Sequence, residues 1–148
     1  MKCRTSRTMD RYTISRRAKV DGKDVENLRA SVGWDRMDGQ YDQILPKSYA
    51  QFTATEDKRL VGFLNVISDG IGDALLVDLM IHPEARHQGL GKALVRFAIE
   101  HLLSDGIRCI QTVFNRELVS FYQACGFDII KAGIIDRADP KRSRVTNR

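Results

Sequence analysis

The chain has 148 residues, of which 43% are hydrophobic and 29% charged, the size and composition of one globular domain that closes its own core. No stretch approaches the roughly 18 consecutive apolar residues of a membrane-spanning helix, which excludes membrane insertion. The net charge of +5 sits at the ends: residues 1–19 carry +6 and residues 137–148 carry +4, leaving −5 for the middle, so nucleic-acid binding through a basic face of the fold is argued against.

Residues 1–11 read as a flexible basic arm, 12–136 as a single domain and 137–148 as a basic tail. The first 20 residues lack the apolar core of a secretory signal, and their Arg, Ser and Thr fit either a transit segment or, more blandly, an unstructured arm. A short strand is predicted over 12–17 and a helix over 23–32, where Val25, Leu28 and Val32 mark one face and Gly33 ends the run. Residues 34–40 form a polar loop, and a weaker helix spans 41–49, interrupted near Pro46. Strands over 51–55 and 60–68 make a hairpin about the polar residues 56–59, and 69–73 is a turn with glycines at 70 and 72. Residues 74–81 are apolar except Asp78, as in a strand covered on both faces. Pro83 stops that strand, and a helix starts near Gly89, with Leu90, Ala93, Leu94, Phe97, Ala98 and Leu102 on one face and Gly106 at its end. A strand over 107–114, a short helix over 117–125 and a strand over 129–135 follow. The fold class is α/β in the mixed sense: a central mixed sheet of about six strands flanked by about four helices.

Cys3, Cys109 and Cys125 are odd in number and contain no CxxC pair, so neither a disulfide framework nor a zinc knuckle is written here. A reducing, cytoplasmic compartment is the simplest expectation. His82 and His87 do not have a metal-ligand spacing, and no metal is expected. Cys109 and Cys125 read as packing residues, and Trp34 either lines an acceptor pocket or anchors the first helix.

The chemistry is written at Arg86-His87-Gln88-Gly89-Leu90-Gly91-Lys92, between a buried strand and an amphipathic helix. The first amides of a helix have no intrahelical partner and the helix dipole adds positive potential, so an anion is well placed there. Glycines at 89 and 91 remove side chains that would hold a phosphate off. A P-loop requires a different glycine spacing and Ser or Thr after Gly-Lys, whereas Ala93 stands here. A dinucleotide fingerprint requires a third glycine where Leu94 stands. The alternative is a tight strand-to-helix turn without a ligand.

Asp78-Leu79-Met80-Ile81-His82-Pro83, followed by Arg86-x-x-Gly89-x-Gly91, resembles the acetyl-CoA motif of the GNAT superfamily of N-acetyltransferases. Asn115 and Phe121-Tyr122-x-x-x-Gly126-Phe127 resemble the family's second block, Leu28 to Trp34 is similar to a segment of many small members, and the order of elements agrees from about 12 to 135. The resemblance implies a sheet splayed at the central strand by a bulge, with Met80 and Ile81 pairing their backbone to the pantetheine arm of acetyl-CoA. It implies that the amides from His87 to Lys92, within the Arg86–Lys92 loop, hold the pyrophosphate, that Asn115 contacts the pantetheine or the amine, and that Tyr122 faces the thioester sulfur. The family usually has a seventh strand, yet thirteen residues follow Ile135. The open sheet edge this leaves makes a homodimer expected, and a monomer by sedimentation at tens of micromolar would count against it.

An alkylammonium with a pKa of about 10 must lose a proton before it attacks, and Asp78, directly or through a water, is the candidate base. Its alternative role is a strand carboxylate bonded to backbone or to an arginine. A backbone N–H near Met80 would meet the oxyanion, and Tyr122 would protonate the departing thiolate; the bland alternative for Tyr122 is an aromatic on a buried helix face. The expected activity is acetyl transfer from acetyl-CoA to the primary amine of a small molecule or peptide, by direct attack in a ternary complex. The competing reading is a catalytically silent acyl-CoA-binding regulatory module, which would need neither Asp78 nor Tyr122.

Overall fold

A computed structural model describes residues 4–17 and 19–136. The strands are β1 (Ser6–Met9), β2 (Tyr12–Arg17), β3 (Ala50–Glu56), β4 (Arg59–Ser68), β5 (Asp73–Ile81) and β6 (Cys109–Thr112), and the helices are α1 (Gly22–Ser31), α2 (Tyr41–Ile44), α3 (Leu90–Ser104) and α4 (Val119–Ala124). The strands form one sheet in the order β1-β2-β3-β4-β5-β6. All pairs are antiparallel except β5 with β6, which the α3 crossover makes parallel. The mixed α+β class expected from the sequence is the one observed. The chain divides into two compact units between Phe114 and Asn115.

In the first unit the core is built by the apolar faces read from the sequence. Val25 and Leu28 of α1 pack with Tyr41, Leu45, Phe63 and Met80. Leu94, Val95, Phe97, Ala98 and Leu102 of α3 are buried. Gly62 on β4 lies opposite Ile81, where an added Cβ would come within 2.9 Å of Ala54 Cβ and 3.1 Å of Ile81 Cδ1. A side chain there would wedge apart the packing behind β5. Asp57 and Lys58 both adopt positive φ in the β3–β4 turn, the geometry that matches strand twist in a two-residue hairpin loop.

Three expectations are corrected. Part of the N-terminal segment read as a flexible arm is β1, which turns through Asp10 and Arg11 to pair Met9 with Tyr12 and Ser6 with Ser15. Asp10 takes the turn's positive φ of 50°, and Arg7 ties the strand to α3 through Glu100 at 2.7 Å. The second helix ends at Ile44 and gives way to a 3-10 turn, Leu45–Lys47, because Pro46 lacks the N–H that would continue it. The strand expected over 129–135 does not form: the described residues 128–136 of the second unit have no regular structure, and Ile130 and Ile135 are 82% and 75% exposed. An apolar run becomes a strand only against a partner edge, and none of the six strands lies in that unit. The tail 137–148 lies outside the described residues.

His101 of α3 is 4% exposed. Its ring lies 4.4 Å from that of Phe97 and 5.7 Å from that of Phe52, and its Nε2 has no hydrogen-bond partner among the described residues. Burial pushes the imidazole pKa down, against a hydrogen bond to the Arg4 backbone that raises it. The unfolded chain, with an ordinary imidazole near about 6.5, therefore takes up the proton first as pH falls. Stability is expected to be retained above that pH and to decline below it, by at most about 1.4 kcal/mol per pH unit. Melting temperatures from pH 7.5 down to 5.0 check this, and His101→Leu should remove that part of the slope.

Candidate active site

The pattern of strand pairing opens the sheet. β6 pairs with β5 from Asp73↔Cys109 to Leu76↔Thr112, whereas β5 runs on to Ile81. Residues 77–81 therefore extend past the end of the parallel ladder. On the other side β5 stays paired with β4, but Asn65 faces Val77 while Phe63 faces Met80. Two steps on β4 span three on β5, which is a β-bulge. The inserted backbone turn is at Asp78, φ 57°, a conformation that Asp tolerates better than the apolar residues around it. Asp78, the one polar residue between Ala74 and Ile81, marks the bulge.

His82 N–H donates to Val61 O at 2.7 Å. By the alternation of an antiparallel ladder, Met80 then also turns its backbone toward β4 and Ile81 turns away from it. Ile81 thus offers its N–H and C=O on the side where β6 has ended, and Arg86 Nε caps that carbonyl at 3.1 Å. The Met80 side chain is buried among Val25, Leu28, Tyr41 and Phe63.

Beyond β5, His82 caps the 3-10 turn Pro83–Ala85, its Nδ1 accepting from Glu84 N–H at 3.3 Å. His87 and Gly89 follow with φ of 60° and 76°. Gly89 is the N-cap of α3, without a side-chain cap bond and without an acidic residue in the first turn. The first helical bond joins Ala93 N–H to Gly89 O at 3.0 Å, so the amides of Leu90, Gly91 and Lys92 precede the intrahelical ladder. Leu90 is buried and anchors the turn, while Arg86, His87, Gln88 and Gly89 are exposed. Gln88 is held from both sides: Tyr12 Oη donates to its Oε1 at 3.2 Å, and its Nε2 donates to Glu84 O at 3.3 Å. A Cβ on Gly89 would meet no atom within 4 Å. Open space before unpaired amides, with no carboxylate in the first turn, fits a pyrophosphate.

Asp78 has partners the sequence did not reveal. Tyr41 Oη donates to its Oδ2 at 2.9 Å, and Arg29 Nη1 stands 3.6 Å from its Oδ1. Arg29 also donates to Tyr41 Oη at 3.1 Å and to Asp35 O. Its guanidinium lies 5.2 Å from the Trp34 ring and 5.7 Å from the Tyr41 ring, so Trp34, 43% exposed, braces Arg29. Burial first, then the negative charge of Asp78, pushes the Tyr41 phenol up to about 12. Asp78 is thus an arginine-paired carboxylate at the bulge beside the open edge. The loop after α1 is pinned as well, by Gly39 N–H donating to the buried Glu26 at 2.8 Å and by Arg36 to Asn27 at 2.8 Å.

The first unit thus brings Asp78, Met80, Ile81 and Arg86 to Lys92 onto one strand and the turn that follows it. Asn115 and Tyr122 belong to the second. There Asn115 precedes the 3-10 turn Arg116–Leu118, its carbonyl accepting from Leu118 N–H at 2.9 Å. Tyr122 of α4 is 5% exposed, its ring edge-on to Phe121 at 5.0 Å and Phe127 at 5.6 Å. The sequence reading missed Arg29 and Tyr41, since neither forms a motif with Asp78 along the chain.

Residues 19–127 match the family described as "Acetyltransferase (GNAT) family". The chain is 37% identical over 147 residues to a chloroplastic GCN5-related N-acetyltransferase of Arabidopsis thaliana, covering 85% of this chain and 57% of that protein. It is 30% identical over 139 residues to a histone acetyltransferase of Glycine max, covering 86% of this chain and 60% of that protein. The chain thus spans less than two thirds of the length of these relatives. Among solved structures, a GNAT family acetyltransferase of Streptococcus pneumoniae superimposes with a TM-score of 0.70 at 26% identity, covering 85% of this chain and 98% of that one. Glucosamine-6-phosphate N-acetyltransferase of Arabidopsis thaliana shares the fold, with a TM-score of 0.69 at 15% identity over 86% of this chain and 99% of that one. With its bulged, open-edged β5 and the glycine turn into α3, the chain belongs to the GNAT family of acetyltransferases.

Proposed function

We propose that the protein transfers the acetyl group of acetyl-CoA to a primary amine on a small molecule or peptide, by direct attack within a ternary complex. The observation that carries this is the continuity of β5 with its loop: a bulge carboxylate, a free strand edge and unpaired helix amides follow one another from Asp78 to Lys92. Acetyl-CoA supplies an acetyl group already activated as a thioester. The amides from His87 to Lys92 hold its pyrophosphate, and the Ile81 backbone, turned away from β4, pairs with the pantetheine amides. Asp78, directly or through a water, takes the proton of the acceptor ammonium and so frees the nitrogen lone pair. Asn115 contacts the pantetheine or the amine, and the phenol of Tyr122 returns a proton to the leaving thiolate. Asp35, Asp38 and Asp42, near the pinned loop after α1, favour a cationic acceptor. A screen of amines and peptides with acetyl-CoA, following thiol release, tests the activity. A silent acyl-CoA-binding module would bind acetyl-CoA and release no thiol with any of them.

Tyr122→Phe is expected to lower kcat by about 10-fold to 100-fold, the low end for a general acid because a thiol is already a fair leaving group. Its ring contacts with Phe121 and Phe127 survive, so acetyl-CoA affinity and melting temperature should change little. Wild-type kcat in the folded variant would leave Tyr122 as a packing aromatic.

A further inference from the structure

Three side chains from three elements meet at the β5 bulge, and chemistry fixes the direction of each proton between them. A guanidinium can only donate, so Arg29 Nη1, 3.1 Å away, donates to the Tyr41 oxygen. The phenol keeps a single proton of its own, and Asp78 Oδ2 at 2.9 Å receives it. Arg29 stands 3.6 Å from Oδ1, beyond hydrogen-bond length. Tyr41 is fully buried, edge-on to Phe63 at 6.4 Å, and Arg29 is fixed by Trp34, the Tyr41 ring and Asp35 O. Neither donor can follow the carboxylate if it turns. The carboxylate is thus tethered at Oδ2, while Oδ1 keeps the longer ion pair to Arg29 and has no hydrogen bond among the described residues.

We propose that Arg29 and Tyr41 are positioning residues for proton transfer at Asp78, holding Oδ2 so that Oδ1 receives the proton of the acceptor amine. The N–H bond of the ammonium breaks, an O–H bond forms at Oδ1, and the electron pair stays on nitrogen for the attack. Tyr41 remains a donor throughout, because burial and the nearby carboxylate hold its proton up to about pH 12. The same contacts join the loop after α1 to the bulge, so a change at Trp34 reaches Asp78 through Arg29.

This inference rests on the reading of Asp78 as the base, and the experiment separates the two. Steady-state kcat and KM for the amine are compared for wild type, Tyr41→Phe, Arg29→Gln, Arg29→Lys and Asp78→Asn, with acetyl-CoA affinity and melting temperature measured on each. Tyr41→Phe keeps the ring and its packing. It is expected to lose about 10-fold in kcat, from a misplaced base, with the KM for the amine little changed. Its acetyl-CoA affinity stays at the wild-type level. Arg29→Gln lowers kcat in the same way, and Arg29→Lys, which keeps the charge, brings it part of the way back. A purely structural role would lower the melting temperature and leave kcat at the wild-type level at temperatures where the variants are folded. That result, in Tyr41→Phe or, should it not fold, in Arg29→Gln, overturns the positioning role while an inactive Asp78→Asn upholds the base. Wild-type turnover in Asp78→Asn overturns both.

Discussion

Gly89→Val is expected to abolish acetyl-CoA binding in the micromolar range while the protein still folds. The N-cap glycine adopts a φ of 76°, with empty space where a Cβ would stand. A valine there meets no neighbouring side chain, so the cost to the fold is the left-handed backbone, about 1–2 kcal/mol. The cost to binding is larger on this reading, since the branched side chain projects into the open space at the N-terminus of α3. Losing two charge-assisted hydrogen bonds to phosphate, at about 1.5–3 kcal/mol each, weakens affinity by about 100-fold or more. Gly89→Asn separates the two effects, because asparagine tolerates the left-handed region while its side chain occupies the same space. It should melt close to wild type and still bind weakly. Calorimetric titration and thermal melts on both variants make the comparison, and unchanged affinity in a folded Gly89→Val protein would remove the pyrophosphate from this turn.

Asp78→Asn is expected to cost about 100-fold to 10,000-fold in kcat, the usual range for removing a general base. The substitution is conservative in every other respect. Asparagine accepts the φ of 57° at the bulge and keeps an oxygen for the Tyr41 phenol. Acetyl-CoA affinity should hold, since the contacts proposed for the coenzyme lie on Ile81 and the Gly89 turn. The loss should shrink as pH rises and more acceptor arrives already deprotonated. A variant that turns over at the wild-type rate at neutral pH would leave Asp78 as an ion-pair partner of Arg29 and no more.

What could be read from the sequence was local. The apolar run from Ala74 to Ile81, Pro83 after it and Gly89 before an amphipathic face each act on their own few residues, so the strand, the turn and the helix start emerged in place. Asp78 was conspicuous for the same reason, as one carboxylate in an apolar strand. Its partners were hidden because Arg29 and Tyr41 lie 49 and 37 positions away, and only the packing of α1 and α2 over β5 brings them in. β1 was missed because its residues are polar and its hairpin depends on pairing with β2 and on Arg7 reaching α3. The opposite error was made at 129–135, where β-branched residues invited a strand that has no partner edge within its unit. Apolar character is written in the chain, whereas pairing is decided by what lies alongside.

The most direct test is to follow free thiol while purified protein is incubated with acetyl-CoA and a panel of primary amines and peptides, and to identify the acylated product by mass spectrometry. Thiol release that requires both protein and an amine, with one acetyl group on the amine and release suppressed in Asp78→Asn, is the expected result. Tight acetyl-CoA binding with no amine-dependent release, or release indifferent to Asp78→Asn and Gly89→Val alike, would contradict it.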